Sequence, residues 1–253
     1  MKNIYIIIFY FLFISKAFSQ VNIESFRNSA IKQGFYGEVK ANVQFQSGNV
    51  NSKTYEIKKD LHFKHKEHHV LLKGSFSKGY QDKILFRNSA FSHFRYTIML
   101  HNFLGYEIFT QTQYDEFKDL KLRQLNGIGL RIEKATKDKM FKLALGSGLM
   151  TDYEQLPYEV TMNIRSTSYA SLTKSFTNDN SSFISAVIYY QPLLFDYKDY
   201  RINNEITLRA SLINKKSYKL GLDTSIIYLY DTVPAVKIEK TDIIIKSGLT
   251  IIF

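Results

Sequence analysis

The chain has 253 residues, with 34 Lys and Arg against 23 Asp and Glu, a formal net charge of +11, and neither Cys nor Trp. The missing cysteines exclude a disulfide framework, a thiol nucleophile and a thiolate metal site. A hydrophobic fraction of 45% with only 3 Pro excludes a disordered or low-complexity chain.

Met1-Lys2-Asn3 makes a short basic start, residues 4–14 are almost wholly apolar, and Ala17-Phe18-Ser19 puts small residues ahead of a cut after Ser19. The apolar run is too short to cross a bilayer as a helix. Residues 1–19 therefore read as a secretory signal, and no later window is long and apolar enough for a transmembrane helix. Residues 20–33, where Ile23 to Lys32 hold no strand pattern, are expected to be a short periplasmic lead-in.

From residue 34 the dominant period is two. Phe35, Gly37, Val39, Ala41, Val43 and Phe45 share one face, and Tyr36, Glu38, Lys40, Asn42, Gln44 and Gln46 share the other. Strand side chains alternate sides, so this segment has one greasy and one polar face. Ile202, Ile206, Leu208, Ala210 and Leu212 repeat the pattern against Arg201, Asn203, Glu205, Thr207, Arg209 and Ser211, with Asn204 breaking the greasy row. At the end of the chain Ile243, Ile245, Leu249, Ile251 and Phe253 oppose Asp242, Lys246 and Thr250. The expected strands are 34–46, 54–63, 69–77, 88–99, 103–111, 122–133, 140–150, 164–176, 182–190, 200–213, 218–230 and 241–253. The eighth and ninth show no clear parity.

These strands are about twice the usual soluble length of about 5–6 residues. Connections after odd strands read as longer than those after even ones, as in outer-membrane barrels with both termini periplasmic. The polar faces carry charge: Lys40, Lys73, Arg95, Glu107, Arg123, Arg131, Lys142, Arg201, Glu205, Arg209, Lys219 and Lys246. Unpaired ions in a dry soluble core would cost several kcal/mol each, whereas a barrel lumen tolerates them. The fold expected for 34–253 is all-β: a transmembrane antiparallel up-and-down barrel of about 12 strands (range about 10–14). The expected location is the bacterial outer membrane. Phe253, a terminal aromatic closing an alternating strand, is the candidate signal for the barrel assembly machinery. Phe35, Tyr55, Phe63, Phe76, Tyr106, Tyr189, Tyr218, Tyr228, Tyr230 and Phe253 are candidates for the interfacial girdles.

Gly34-Phe35-Tyr36-Gly37-Glu38-Val39 followed by Ser47-Gly48-Asn49 resembles the start of the DUF481 family, uncharacterised outer-membrane proteins, some described as salt-induced. The resemblance continues through Glu107-Ile108-Phe109-Thr110-Gln111, Tyr114-Asp115-Glu116-Phe117-Lys118-Asp119-Leu120, Arg123 and Gly127-Ile128-Gly129. It ends near Leu145-Gly146-Ser147-Gly148-Leu149-Met150, and beyond that only the strand rhythm matches. It implies an outer-membrane barrel and no catalytic residue.

A turn near Thr136-Lys137 would set Gly127 opposite Gly146, Gly129 opposite Ala144 and Leu125 opposite Gly148. That leaves a bare inner niche at Gly127, Gly129, Gly146 and Gly148. The niche either eases bending of the sheet or takes a long side chain or an anionic solute beside Arg123, Arg131 and Lys142. His62, His65, His68 and His69 read as a solvated periplasmic turn, since Lys64 and Lys66 repel cations and the spacing fits no closed metal site. Neither His93 nor His101 has a serine at a spacing that would make an acyl-transfer pair, so no enzyme and no cofactor is expected. Lys78, Lys83, Lys118, Lys121, Lys198 and Lys237 would meet lipopolysaccharide or solvent; an exported chain leaves no role for nucleic acid.

Three functions stay open. The first is a narrow, basic-lined, anion-preferring pore. The second is a closed-lumen structural or partner-binding barrel that supports the envelope under osmotic or salt stress, its envelope partner unknown. The third, a barrel hydrolase, is the weakest. Leu208→Arg is expected to block assembly and Arg209→Leu to be harmless.

Overall fold

A computed structural model describes residues 33–46, 52–101, 103–138, 140–215, 217–234 and 238–253, with the side chains of 42–46 left undescribed. The expected signal (1–19) and lead-in (20–33, save Gln33) lie outside the described residues. The strands are β1 (Gly34–Gln46), β2 (Ser52–His65), β3 (His68–Gln81), β4 (Ile84–Met99), β5 (Leu104–Asp115), β6 (Leu120–Ala135), β7 (Phe141–Gln155), β8 (Val160–Ser175), β9 (Phe183–Pro192), β10 (Tyr200–Asn214), β11 (Lys219–Asp231) and β12 (Thr241–Ile252). A single turn of 3-10 helix, Glu116–Lys118, links β5 to β6.

Each strand pairs antiparallel with its neighbours in sequence, and β1 pairs with β12, closing the barrel. Phe253 joins the seam: its N–H donates to Gly37 O at 3.1 Å, and Gly37 N–H donates to Phe253 O at 3.2 Å. Closure leaves no strand edge to be satisfied in lipid.

The polarity is inside-out. Leu208 is 47% exposed on the outer wall, while Arg209 beside it is 3% exposed inside. The outer rows of aliphatic side chains are those of a barrel wall that faces acyl chains. β8 and β9 obey the same rule, with Arg165, Thr167, Tyr169, Ser171 and Thr173 inside on β8 and Phe183, Ser185, Val187, Tyr189 and Gln191 inside on β9. Tyr189 is thus a lumen residue rather than a girdle residue, and Tyr169 packs on it with ring centroids 5.2 Å apart.

Most strands run past the expected ends. The connectors after odd strands cover 47–51, 82–83, 116–119, 156–159, 193–199 and 232–240, and those after even strands cover 66–67, 100–103, 136–140, 176–182 and 215–218. Their lengths do not alternate as expected. Polar segments such as 78–81 and 151–155 continue the ladder, because backbone pairing needs no apolar side chains once the barrel holds the strands side by side.

Candidate functional site

The lumen is where this chain concentrates polar chemistry, and its side chains arrive there by strand parity. Among the described residues, three large ion-paired clusters stand in it. In the first, Arg95 Nη1 donates to Glu107 Oε2 at 2.9 Å and Thr97 Oγ1 to Glu107 Oε1 at 3.1 Å. Tyr169, on β8, donates its hydroxyl to Glu107 Oε2 at 2.9 Å and accepts from Arg131 Nη1 at 2.7 Å. Arg131 also holds Glu133, to which Lys142 Nζ comes within 2.9 Å.

The second cluster centres on Arg201. Its Nη1 donates to Asp152 Oδ2 at 2.8 Å and its Nε to Asp231 Oδ2 at 2.9 Å, and its Nη2 bonds Glu154. Arg165 Nε shares Asp152 Oδ2 at 2.8 Å, and Arg123 Nε shares Glu154 Oε1 at 2.6 Å. In the third cluster Arg209 makes a two-point bond to Glu38, both distances 3.0 Å, and another to Asp223 at 2.6 and 2.7 Å. Lys40 bonds Asp223 as well. Planar guanidinium groups suit such paired carboxylates, and in a poorly solvated site each ion needs its partner.

Beside the bonds between neighbouring strands, each cluster holds a chord between non-adjacent ones: β5 to β8, β7 to β10, and β10 to β1. At one mouth Lys118 turns inward, its Nζ 3.8 Å from Asp242 Oδ2 on β12, so the 116–119 connector reaches across the opening. The sequence reading left Lys118 among the outer loop lysines. Asp119 in the left-handed conformation (φ 55°) and Asp115, which accepts from Phe117 N–H, shape the connector that folds it in.

Burial drops the Lys118 ammonium to about 7, although Asp115 and Asp242 favour its charge; Arg123 and Lys246 oppose it. The unfolded chain holds that proton up to the ordinary lysine range, near 10.5, while the seated side chain releases it near 7. Seating therefore strengthens as pH rises through this window and is flat below it with respect to this group. Amide exchange of residues 116–119 should slow from pH 7 to pH 10, after correction for intrinsic rates, and Lys118→Met should remove that dependence.

Every basic residue named from the sequence as lining the lumen faces inward or sits at a rim. Lys73 Nζ lies 3.6 Å from Asp60 Oδ2, Lys246 Nζ 3.6 Å from Glu56 Oε1, and Lys219 Nζ 2.6 Å from Asp179 Oδ2 at the 176–182 rim. Glu205 accepts from Thr207 Oγ1 at 3.0 Å. The wall is not basic, however. Glu38, Asp60, Asp152, Glu154, Asp223 and Asp231 are buried among the cations. Glu38 carried the parity signal. Asp152 and Glu154 lie past the expected end of β7, and Arg165 in a strand of unreadable parity.

The glycine niche differs from expectation in register. Gly127 faces Met150, Gly129 faces Gly148, Arg131 faces Gly146, Leu125 faces Asp152, and Ala144 faces Glu133. The cause is the chain reversal. Asp138 Oδ1 accepts from Met140 N–H at 3.0 Å and Thr136 Oγ1 from Phe141 N–H at 3.1 Å, centring the turn two residues later than Thr136-Lys137. Nor is the niche bare. A Cβ on Gly127 would collide with the Phe109 ring, and one on Gly146 with the Tyr169 ring. Arg95 stacks over both rings, at 5.1 and 5.9 Å.

The histidine turn also divides. His62 and His69 are buried in the lumen with ring nitrogens 3.1 Å apart, and Tyr36 stacks on His62 at 4.5 Å, whereas His65 and His68 remain exposed. Lumen parity thus overrides the solvated reading for that pair. His93 contacts Gln111 Oε1 at 3.1 Å through Nδ1 and stacks near Phe91 and Phe109.

Among solved structures, the NanC porin is 13% identical, with 86% of this chain and 97% of that one covered at a TM-score of 0.47. The translocator domain of the autotransporter NalP from Neisseria meningitidis is 7% identical, with coverages of 90% and 91% and a TM-score of 0.43. The beta domain of the Bordetella autotransporter BrkA is 8% identical, with coverages of 87% and 98% and a TM-score of 0.38. No curated protein matches the sequence. The model of DUF481, described as a protein of unknown function, matches residues 39–253, and the chain belongs to that family.

Proposed function

We propose that this is an outer-membrane barrel with a closed, ion-paired lumen, acting as a structural or partner-binding element of the envelope. The observation that carries the reading is Arg201, which binds carboxylates of β7 and β11 at once from β10. A conducting pore needs sites weak enough for ions to leave, whereas here the fixed charges satisfy one another. The basic-lined, anion-preferring pore has less support, because the cations are matched by buried acids. The reading assigns no hydrolysis: His93 and His101 stack on phenylalanines, and no described serine bonds to either. It keeps both termini in the periplasm and the assembly role of Phe253, with lipopolysaccharide meeting the outer lysines.

Conductance in planar bilayers is the test. The purified protein should be silent across the voltage range in which porins conduct; steady anion-selective current would overturn the closed-lumen reading. Deleting the gene should lower tolerance to high salt or detergent, and unchanged tolerance would remove the envelope role.

A further inference from the structure

A lysine stands on the outer wall where the belt is otherwise apolar. Lys59 is exposed on β2, midway between Ser52 and His65, with Ile57 and Leu61 on either side along the strand and Val39 of β1 beside it. Other outward lysines, such as Lys53, Lys78 and Lys174, stand close to a strand end. Lys78 and Lys174 also lie over aromatic rings, at 5.6 and 5.4 Å. Lys59 has no ion pair, hydrogen bond or ring contact among the described residues.

Its depth limits what can neutralise it. The exposed rings of Tyr55 and Phe63 share its outward row, equally far along β2 on either side. At a rise of about 3.3 Å per residue and a tilt of about 40°, each ring is about 10 Å from Lys59 along the membrane normal. Headgroup phosphates lie beyond those rings, farther than a lysine stem can carry its ammonium. A charge held at this depth costs the isolated barrel stability.

Beside Lys59 the wall is indented. Gly74 of β3 pairs with Lys59, and Ser92 of β4 pairs with Gly74. In register, Leu72 and Phe94 stand on one side of that pair and Phe76 on the other. A Cβ on Gly74 would meet nothing nearer than Phe91 O at 3.8 Å, whereas one on Gly127 or Gly146 would strike a ring. Packing within the barrel therefore does not demand this glycine, and a bare strand position is where another backbone can come close. Ser92 is exposed, its hydroxyl without a partner among the described residues.

We propose that Lys59, Gly74 and Ser92 dock a membrane-spanning segment of a different envelope protein, one that carries an Asp or Glu at mid-depth and pairs it with Lys59. A carboxylate is the group that offsets an ammonium held away from water. Lipid supplies anions only at the rims. A second copy of this chain has none to offer, since no Asp or Glu stands on an outward strand row among the described residues. The bare Gly74 lets the partner's backbone approach closely enough for the pair to form, and the Ser92 hydroxyl bonds that backbone. This site gives the partner-binding reading its chemistry and rests on it.

Outer membranes holding the full chain, treated with a carbodiimide that enters the bilayer, test the site. The reagent condenses a paired amine and carboxylate into an amide. Peptide mapping should find Lys59 joined to an Asp or Glu within an apolar stretch of another protein. The rim pair Lys219 and Asp179, 2.6 Å apart, reports that the reaction has run. Gly74→Leu should abolish the adduct while the barrel still assembles. Lys59→Leu should abolish it and raise the urea midpoint of the isolated barrel in vesicles. An adduct to lipid or lipopolysaccharide, an adduct to a second copy, or none where the rim pair has reacted would each overturn the proposal, as would an unchanged or lowered midpoint. In cells, Lys59→Leu should lower salt or detergent tolerance as gene deletion does. If deletion lowers it and Lys59→Leu does not, the site falls and the envelope role stands; if deletion changes nothing, the envelope role falls by itself and the adduct alone decides the site.

Discussion

Arg201→Met is expected to destabilise the barrel by about 3–5 kcal/mol, the cost of breaking a buried ion network by removing one partner. Arg201 is 5% exposed, and its guanidinium serves Asp152, Glu154 and Asp231. Arg165 and Arg123 stay beside the first two carboxylates, so Asp231 loses most. Its charge must then find water, and the route for water is the lumen. The same variant is therefore expected to conduct intermittently and with a cation preference, because the remaining charge at the gap is acidic. Loss of the heat-dependent gel shift at lower temperature and urea unfolding from vesicles measure the stability; planar bilayers measure the current. A stable and silent Arg201→Met barrel would mean that the chord from β10 to β7 neither supports nor closes the lumen.

Leu208→Arg should cost about 2–4 kcal/mol at mid-bilayer depth and block folding into vesicles. Leu208 lies outward between Ile184 of β9 and Thr224 of β11, with no inward route for a guanidinium. The structure changes what is expected one residue on. Arg209→Leu is no longer harmless, since it strips Glu38 and Asp223 of their two-point partner. The two defects are distinguishable by rescue. Adding Glu38→Gln should recover part of the stability of Arg209→Leu by removing a stranded charge, and should do nothing for Leu208→Arg. Recovery of both by Glu38→Gln, or ready insertion of Leu208→Arg, would contradict the assigned faces.

Phe35, Leu208 and Ile245 could be placed outside, and Lys40, Arg123 and Arg209 inside, from alternation alone. Each assignment depends only on the two-residue repeat of an extended backbone, which neighbours along the chain do not alter. The closing strand was legible for the same reason. The niche at Gly127 was not, because its register turned on Asp138 and Thr136 side chains shifting a reversal by two residues. Nor was Lys118 placed, since a single helical turn carries it over the mouth and no periodicity marks such a turn.

What the amino-acid order determined by itself was therefore local: an inside-out barrel of about twelve long strands, with an aromatic closing the last of them. Which charges meet was decided only in three dimensions. Glu38 and Arg209 stand 171 residues apart along the chain, and they come to 3.0 Å of one another only once β1 has closed on β12. Curvature of the closed sheet sets the distance across the lumen, and that distance turns a row of cations that reads as an anion path into a set of neutralised pairs.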